Sequence, residues 1–123
     1  MKIILIVEEQ LNQVRECREK LKPFRVRFLV AMSVSVALEM LCSEPIDLVI
    51  AGVNGGGEEL LELAKRRGCT APFIFHTEIP DYDEAFYFEA LGAAKYVSKL
   101  ESVALVDAVR EVLPNLEQVD GQG

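Results

Sequence analysis

The feature that most constrains this chain is a repeated change of period, in which short unbroken apolar runs are separated by segments whose apolar residues recur at helical spacing. Ile3-Ile4-Leu5-Ile6-Val7 is rich in β-branched residues and shows no alternation, the pattern of a strand covered on both faces. A second strand is expected over Phe24 to Val30, where Arg25 and Arg27 alternate with apolar residues and point to a place near the sheet edge. Leu48-Val49-Ile50-Ala51 forms a third run that ends abruptly at Gly52. Phe73-Ile74-Phe75, after Pro72, and Tyr96-Val97, after Gly92, complete the set.

Between the runs, Leu11, Val14, Cys17 and Leu21 share one helical face, as do Val34, Ala37, Leu38 and Leu41. Leu60, Leu61 and Ala64 mark a third helix, Ala85, Phe88 and Leu91 a fourth, and Val103, Val106, Val109 and Leu113 a fifth. Ser33 is placed to cap the second, and Asp81-Tyr82-Asp83-Glu84 has capping-box spacing at the start of the fourth. Five βα units within residues 1–113 imply one α/β domain, a parallel sheet with helices on both faces. Residues 114–123 lack periodicity and carry two glycines, so they are expected to be a flexible tail or linker.

With 123 residues, half of them hydrophobic, the chain builds one core and not two. Its net charge of −7 argues against a nucleic-acid surface or an anionic membrane, both of which are bound by clustered Lys and Arg. No run approaches the roughly 20 apolar residues of a membrane helix, and no cleavage-like signal follows Met1-Lys2, so a cytoplasmic location is expected. Cys17, Cys42 and Cys69 are odd in number and widely spaced. They read as buried or half-buried free thiols, with disulfides and a zinc site both disfavoured.

In an open parallel sheet, sites form outside the carboxyl ends of the strands. The residues that follow the apolar runs are Glu8 and Glu9, then Gly52, Val53 and Asn54, then His76 and Thr77, then Ser98 and Lys99. Paired acids, a hydroxyl and a lysine suit metal-assisted phosphoryl transfer, but the set holds no nucleophile. His76 has no Ser, Cys or metal partner and reads as a packing residue at a strand end. Gly55-Gly56-Gly57 matches neither the dinucleotide fingerprint nor the Walker pattern and reads as a shortened flexible turn. A flavin site is disfavoured because Glu8-Glu9-Gln10 puts acid where a phosphate would bind.

Four segments, Ile4-Leu5-Ile6-Val7-Glu8-Glu9, Asp47-Leu48-Val49-Ile50, Pro72 through Thr77 and Gly92 through Lys99, stand in the order and at the separations of another group of proteins. Over residues 2–113 the chain resembles the receiver domain of two-component response regulators. The resemblance implies a flavodoxin-like sheet of order 2-1-3-4-5 and a phosphoaspartate switch in which an acidic pair and an aspartate hold magnesium. It places Glu8 and Glu9 on the acidic pair, Thr77 on the phosphoryl-contacting hydroxyl, Tyr96 on the aromatic that reorients on activation, and Lys99 on the lysine. The phosphoacceptor position falls on Gly52.

Glycine accepts no phosphoryl group, and no aspartate occurs between Asp47 and Asp81. Asp47 lies at the wrong end of its strand, ~17 Å of extended chain from the site. Leu100 stands where the family has proline, the loop after Gly52 is short, and Glu8-Glu9 is one methylene longer per arm than the common aspartate pair, which leaves magnesium doubtful. Lys99, without an aspartate, is expected to pair with Glu8 or Glu9. The expectation is therefore a pseudo-receiver, not an enzyme, that acts by binding a protein partner or a second copy of itself.

Tyr82, Phe86, Tyr87 and Ala90 would project away from the sheet-facing side of the fourth helix as a contact surface. The resemblance implies docking through the fourth helix, fifth strand and fifth helix. Two alternatives stand beside this reading: the vacated pocket, with Glu8, Glu9, Thr77 and Lys99, takes a small ligand or cation, or the chain is the receiver part of a larger regulator.

Overall fold

Because the central strands are apolar without a break over residues 3–7, 48–51 and 73–75, each feeds two cores at once. The computed structural model describes residues 1–119. Its strands are β1 (Lys2–Val7), β2 (Val26–Ala31), β3 (Leu48–Gly52), β4 (Phe73–Thr77) and β5 (Lys95–Ser98), and its helices are α1 (Leu11–Lys20), α2 (Val34–Ser43), α3 (Gly57–Arg66), α4 (Tyr82–Leu91) and α5 (Ala104–Val112). The strands are all parallel and stand in the order β2-β1-β3-β4-β5. The doubly wound flavodoxin-like fold is thus the architecture of this chain.

On one face Ile4, Ile6, Leu48, Ile50 and Ile74 pack with Val14 and Cys17 of α1 and Leu105 and Val109 of α5. On the other, Leu5, Val7, Val49, Ala51, Phe73 and Phe75 pack with Ala37 of α2, Leu60 and Ala64 of α3 and Phe88 of α4. β2 is an edge strand, as Arg25 and Arg27 led us to expect. The Ser33 hydroxyl accepts from Val36 N–H at 3.3 Å to cap α2, and an Asp81 carboxylate oxygen accepts from Asp83 N–H at 2.8 Å to cap α4.

Four expectations need correction. β2 begins at Val26, because Phe24 is buried and pairs antiparallel with Gln118 instead of extending the strand. Residues 114–119, expected as tail or linker, therefore run back along the entry to β2. Arg25 N–H donates to the Glu117 carbonyl at 2.8 Å, and Leu116 packs on the same core as Phe24. The rest of the expected tail, residues 120–123, lies outside the described residues. Val103 does not join the buried face of α5: it precedes the helix and is 63% exposed, while Leu105, Ala108 and Val109 at i, i+3 and i+4 make the contact. Finally, the triple glycine is a packed junction and not a loose turn. Val53–Gly55 form one 3-10 turn, and Gly56 takes the left-handed conformation at φ +84°. A Cβ on Gly57 would stand 2.5 Å from Phe75 Cε1.

Among the described residues no helix is long and apolar enough to cross a membrane.

Candidate functional site

The parallel register sets Val7 beside Ala51, Gly52 beside His76 and Thr77 beside Ser98, so the carboxyl ends of β1, β3, β4 and β5 meet along one edge. The loops that follow enclose a cavity of about 420 Å³, lined among others by Glu8, Glu9, Gly52, His76, Thr77 and Lys99. All the residues predicted for the phosphoryl site are therefore brought to one place, apart from Tyr96, which sits behind Thr77 under α4.

The space beside Gly52 is occupied by Glu8. The backbone at Gly52 is extended, φ −71° and ψ 143°, so it would accept any residue. The space beside it would not. A Cβ built on Gly52 lies 2.7 Å from each carboxylate oxygen of Glu8 and 2.9 Å from its Cδ. Glu8 is 9% exposed, and one of its carboxylate oxygens accepts from Lys99 Nζ at 2.9 Å. Lys99 also donates to Gln13 Oε1 at 2.8 Å. Of the two acids offered, Lys99 thus takes Glu8, and the longer arm of glutamate carries its carboxylate into the room that a side chain at position 52 would fill.

Glu9 also lines the cavity but is exposed, and its Cγ lies 3.5 Å from where a Gly55 Cβ would stand. Of the pair, Glu8 is the one that is buried against Lys99. Asp81 reaches the cavity rim, but its carboxylate caps α4, and Asp47 lies at the far end of β3 accepting from Ile3 N–H at 2.8 Å. Among the described residues no three His, Cys, Asp or Glu side chains are grouped to hold a metal ion. With Glu8 committed to Lys99 and no carboxylate at 52, these donors do not fit magnesium.

Thr77 is buried, and its hydroxyl accepts from Ile79 N–H at 3.3 Å, so it shapes the turn into α4. Tyr96 is half-buried with its ring stacked on Phe88 at 6.1 Å between centroids. Its hydroxyl donates to Glu84 Oε1 at 2.5 Å and accepts from Asp81 N–H at 3.3 Å. Burial and the Glu84 bond raise its pKa above the usual tyrosine value. Tyr96 is thus held inward by α4.

His76 is 2% exposed, and neither ring nitrogen has a hydrogen-bond partner. Burial, with Lys20 and Lys99 nearby, lowers its pKa to about 3, so the ring is neutral at physiological pH. Alternation along β4 puts it on the side of Ile74, the α1 and α5 side, beneath Gly52. Gln13 was not anticipated, and nothing in its sequence context marks it. The meeting of Glu8 and Gly52 was foreseeable from parity, since Ile4, Ile6, Leu48 and Ile50 share one face and the next residues in step are Glu8 and Gly52.

On α4, Tyr82 and Phe86 are 92% and 80% exposed, and Ala90 is exposed beside them. Tyr87 is only half available, because its hydroxyl bonds Glu58 at the start of α3.

No family model and no curated protein matches the chain. Its fold is that of solved receiver domains. The signal receiver domain of an HD domain-containing protein from Pseudomonas fluorescens Pf-5 is 25% identical, with a TM-score of 0.78, over 92% of this chain and 94% of that one. The chemotaxis response regulator CheY4 of Vibrio cholerae gives a TM-score of 0.80 at 18% identity, over 91% and 98%. A two-component response regulator from Clostridium difficile gives 0.79 at 21% identity, over 94% and 98%.

Proposed function

We propose that this chain is a pseudo-receiver: a signalling module that binds a protein partner or a second copy of itself and takes no phosphoryl group from a donor. The observation that carries the proposal is the Glu8 carboxylate seated beside Gly52 and paired with Lys99, because it fills the acceptor space and neutralises the Lys99 ammonium. The residues fit no catalytic role, since nucleophile and metal donors are both wanting. The contact surface is the exposed side of α4, with Tyr82, Phe86 and Ala90, continued towards β5 and α5 where Leu100 and Val103 are exposed.

Amide NMR with beryllofluoride and magnesium tests this directly. Peaks of Gly52, Thr77 and Lys99 are expected to stay in place; saturable shifts there would reject the proposal. The contact surface is tested by sedimentation of the chain alone and of a Phe86→Glu variant, with concentration-dependent association expected only in the first if the partner is a second copy.

A second reading rests on His76, a residue of the cavity lining whose two ring nitrogens are buried without a hydrogen-bond partner among the described residues. On this reading a small hydrogen-bonding ligand enters between Thr77 and Gly52 and satisfies the imidazole. A thermal-shift screen separates the two, since a ligand that binds only the folded chain raises its midpoint.

A further inference from the structure

At the opposite edge of the sheet, the fold brings together two cysteines that the sequence keeps 27 positions apart. Cys42 lies in the last turn of α2 and is exposed, contrary to the expectation of buried or half-buried thiols. Cys69 is half-buried and follows α3 directly. Its place is fixed by the way α3 ends. Gly68 is left-handed at φ +80°, its N–H donates to the Lys65 carbonyl at 3.0 Å, and Cys69 N–H donates to the Ala64 carbonyl at 3.0 Å, the two bonds of a Schellman motif.

Both cysteines line one cavity of about 500 Å³, together with Glu44, Ile46, Arg67 and Ala71. The last turn of α2 and the turn after α3 thus set the two thiols across one cavity, close enough for Cys42 to act on the Cys69 thiol. Arg67 Nη1 stands 3.9 Å from Cys42 Sγ. Partial burial, then the neighbouring Cys42, raise the Cys69 thiol above its ordinary value, while Cys42 is the sulfur open to solvent with the Arg67 guanidinium beside it. By contrast, Cys17 is 1% exposed on the sheet-facing side of α1 and is pushed up to about 12 by burial, so it is inert.

We propose that Cys42 and Cys69 are a reversible redox pair, which closes to an intrachain disulfide joining the last turn of α2 to the segment leading into β4. The oxidant is a low-molecular-weight disulfide, RSSR. The Cys42 thiolate attacks one of its sulfurs, the RS–SR bond breaks, and one RS⁻ leaves and takes up a proton. Cys69 then loses its proton to solvent, attacks Cys42 Sγ and expels the second RS⁻, which is protonated in turn. The two protein thiols lose two electrons and RSSR becomes two RSH. Cys42 is the thiol attacked first from outside and Cys69 the resolving thiol. Where the surroundings are reducing, such a bond is transient, as sensing disulfides are. It would tie α2 to the chain between α3 and β4, at the end of the sheet away from the Glu8–Lys99 pair.

The test uses the full chain and oxidised glutathione. Titratable thiols should fall from three to one, the intact mass should drop by two hydrogens, and peptide mapping should join the segments that hold Cys42 and Cys69. Dithiothreitol should restore all three thiols. In a Cys69→Ser variant, glutathione should remain attached at Cys42. A glutathione adduct that persists on Cys42 in the unaltered chain, a dimer linked through Cys42, or thiols unreacted at glutathione levels that oxidise a model dithiol would each overturn the proposal. The outcome on the unaltered chain decides the matter even if the variant fails to fold.

Discussion

If the Glu8 carboxylate occupies the space that a side chain at position 52 would need, mutations at the two sites must be strongly coupled. Glu8→Ala removes the carboxylate from Lys99, whose side chain is only 11% exposed and would keep a single polar partner, Gln13 at 2.8 Å. Leaving one charge of a buried pair uncompensated costs about 3 kcal/mol, the low end of the range for such pairs. Gly52→Asp on its own sets a Cβ 2.7 Å from both Glu8 oxygens and a second carboxylate beside the first. Two like charges about 4 Å apart at an effective dielectric of 20 repel by about 4 kcal/mol, and relaxation of Glu8 into the open cavity leaves about 2 kcal/mol. The separate costs therefore sum to about 5 kcal/mol. In the double variant, the introduced aspartate enters the emptied space and takes Lys99, so the loss should stay below about 2 kcal/mol, a coupling of about 3 kcal/mol. Urea unfolding of all four proteins measures this, provided the slopes agree. Additivity within about 0.5 kcal/mol would refute the claim that the two side chains compete for one space.

Three other outcomes follow from the same structure. His76 has a folded-state pKa lowered to about 3 from an unfolded value of 6.5, so below pH 6.5 the unfolded chain binds more protons and stability falls as acid is added, by up to about 1.4 kcal/mol per pH unit, until pH 3. His76→Val should be neutral or stabilising at pH 7, because it removes two unpaired buried nitrogens, and should flatten the stability curve between pH 6 and 4 in thermal unfolding. Gly57→Ala should lose about 1–3 kcal/mol in urea unfolding, since its Cβ would stand 2.5 Å from Phe75 Cε1 and 3.0 Å from the Gly52 carbonyl oxygen. Phe86→Glu should shift stability by less than about 0.5 kcal/mol, because the ring is 80% exposed, while disrupting association in sedimentation; a large loss of stability would show the ring to be structural.

Much of the fold is legible in the sequence, because residues 3–7, 48–51 and 73–75 are unbroken apolar runs, and only a doubly covered strand tolerates that. The helices were equally plain where Val14, Cys17 and Leu21, or Leu60, Leu61 and Ala64, repeat on one face. What escaped depends on distant partners. Phe24 looks like the start of a strand, and only its pairing with Gln118 near the chain's end removes it from β2. The convergence of Glu8 and Gly52 could be inferred from strand parity, but the depth to which the glutamate arm reaches depends on the spacing between β1 and β3. The approach of Cys42 to Cys69 needs the packing of α2 against α3 and the Schellman turn at Gly68, neither of which the cysteine spacing encodes. The triple glycine looked loose because glycine signals freedom locally; here it allows α3 to start against the Phe75 ring.

The central claim is that the acceptor space is taken by a carboxylate already neutralised by Lys99. Incubation with acetyl phosphate and magnesium, followed by intact-protein mass spectrometry under conditions that preserve acyl phosphates, addresses it most directly. The unaltered chain should show no phosphoryl adduct. An adduct mapped to Glu8, or to any aspartate at the edge of the cavity, would contradict the account.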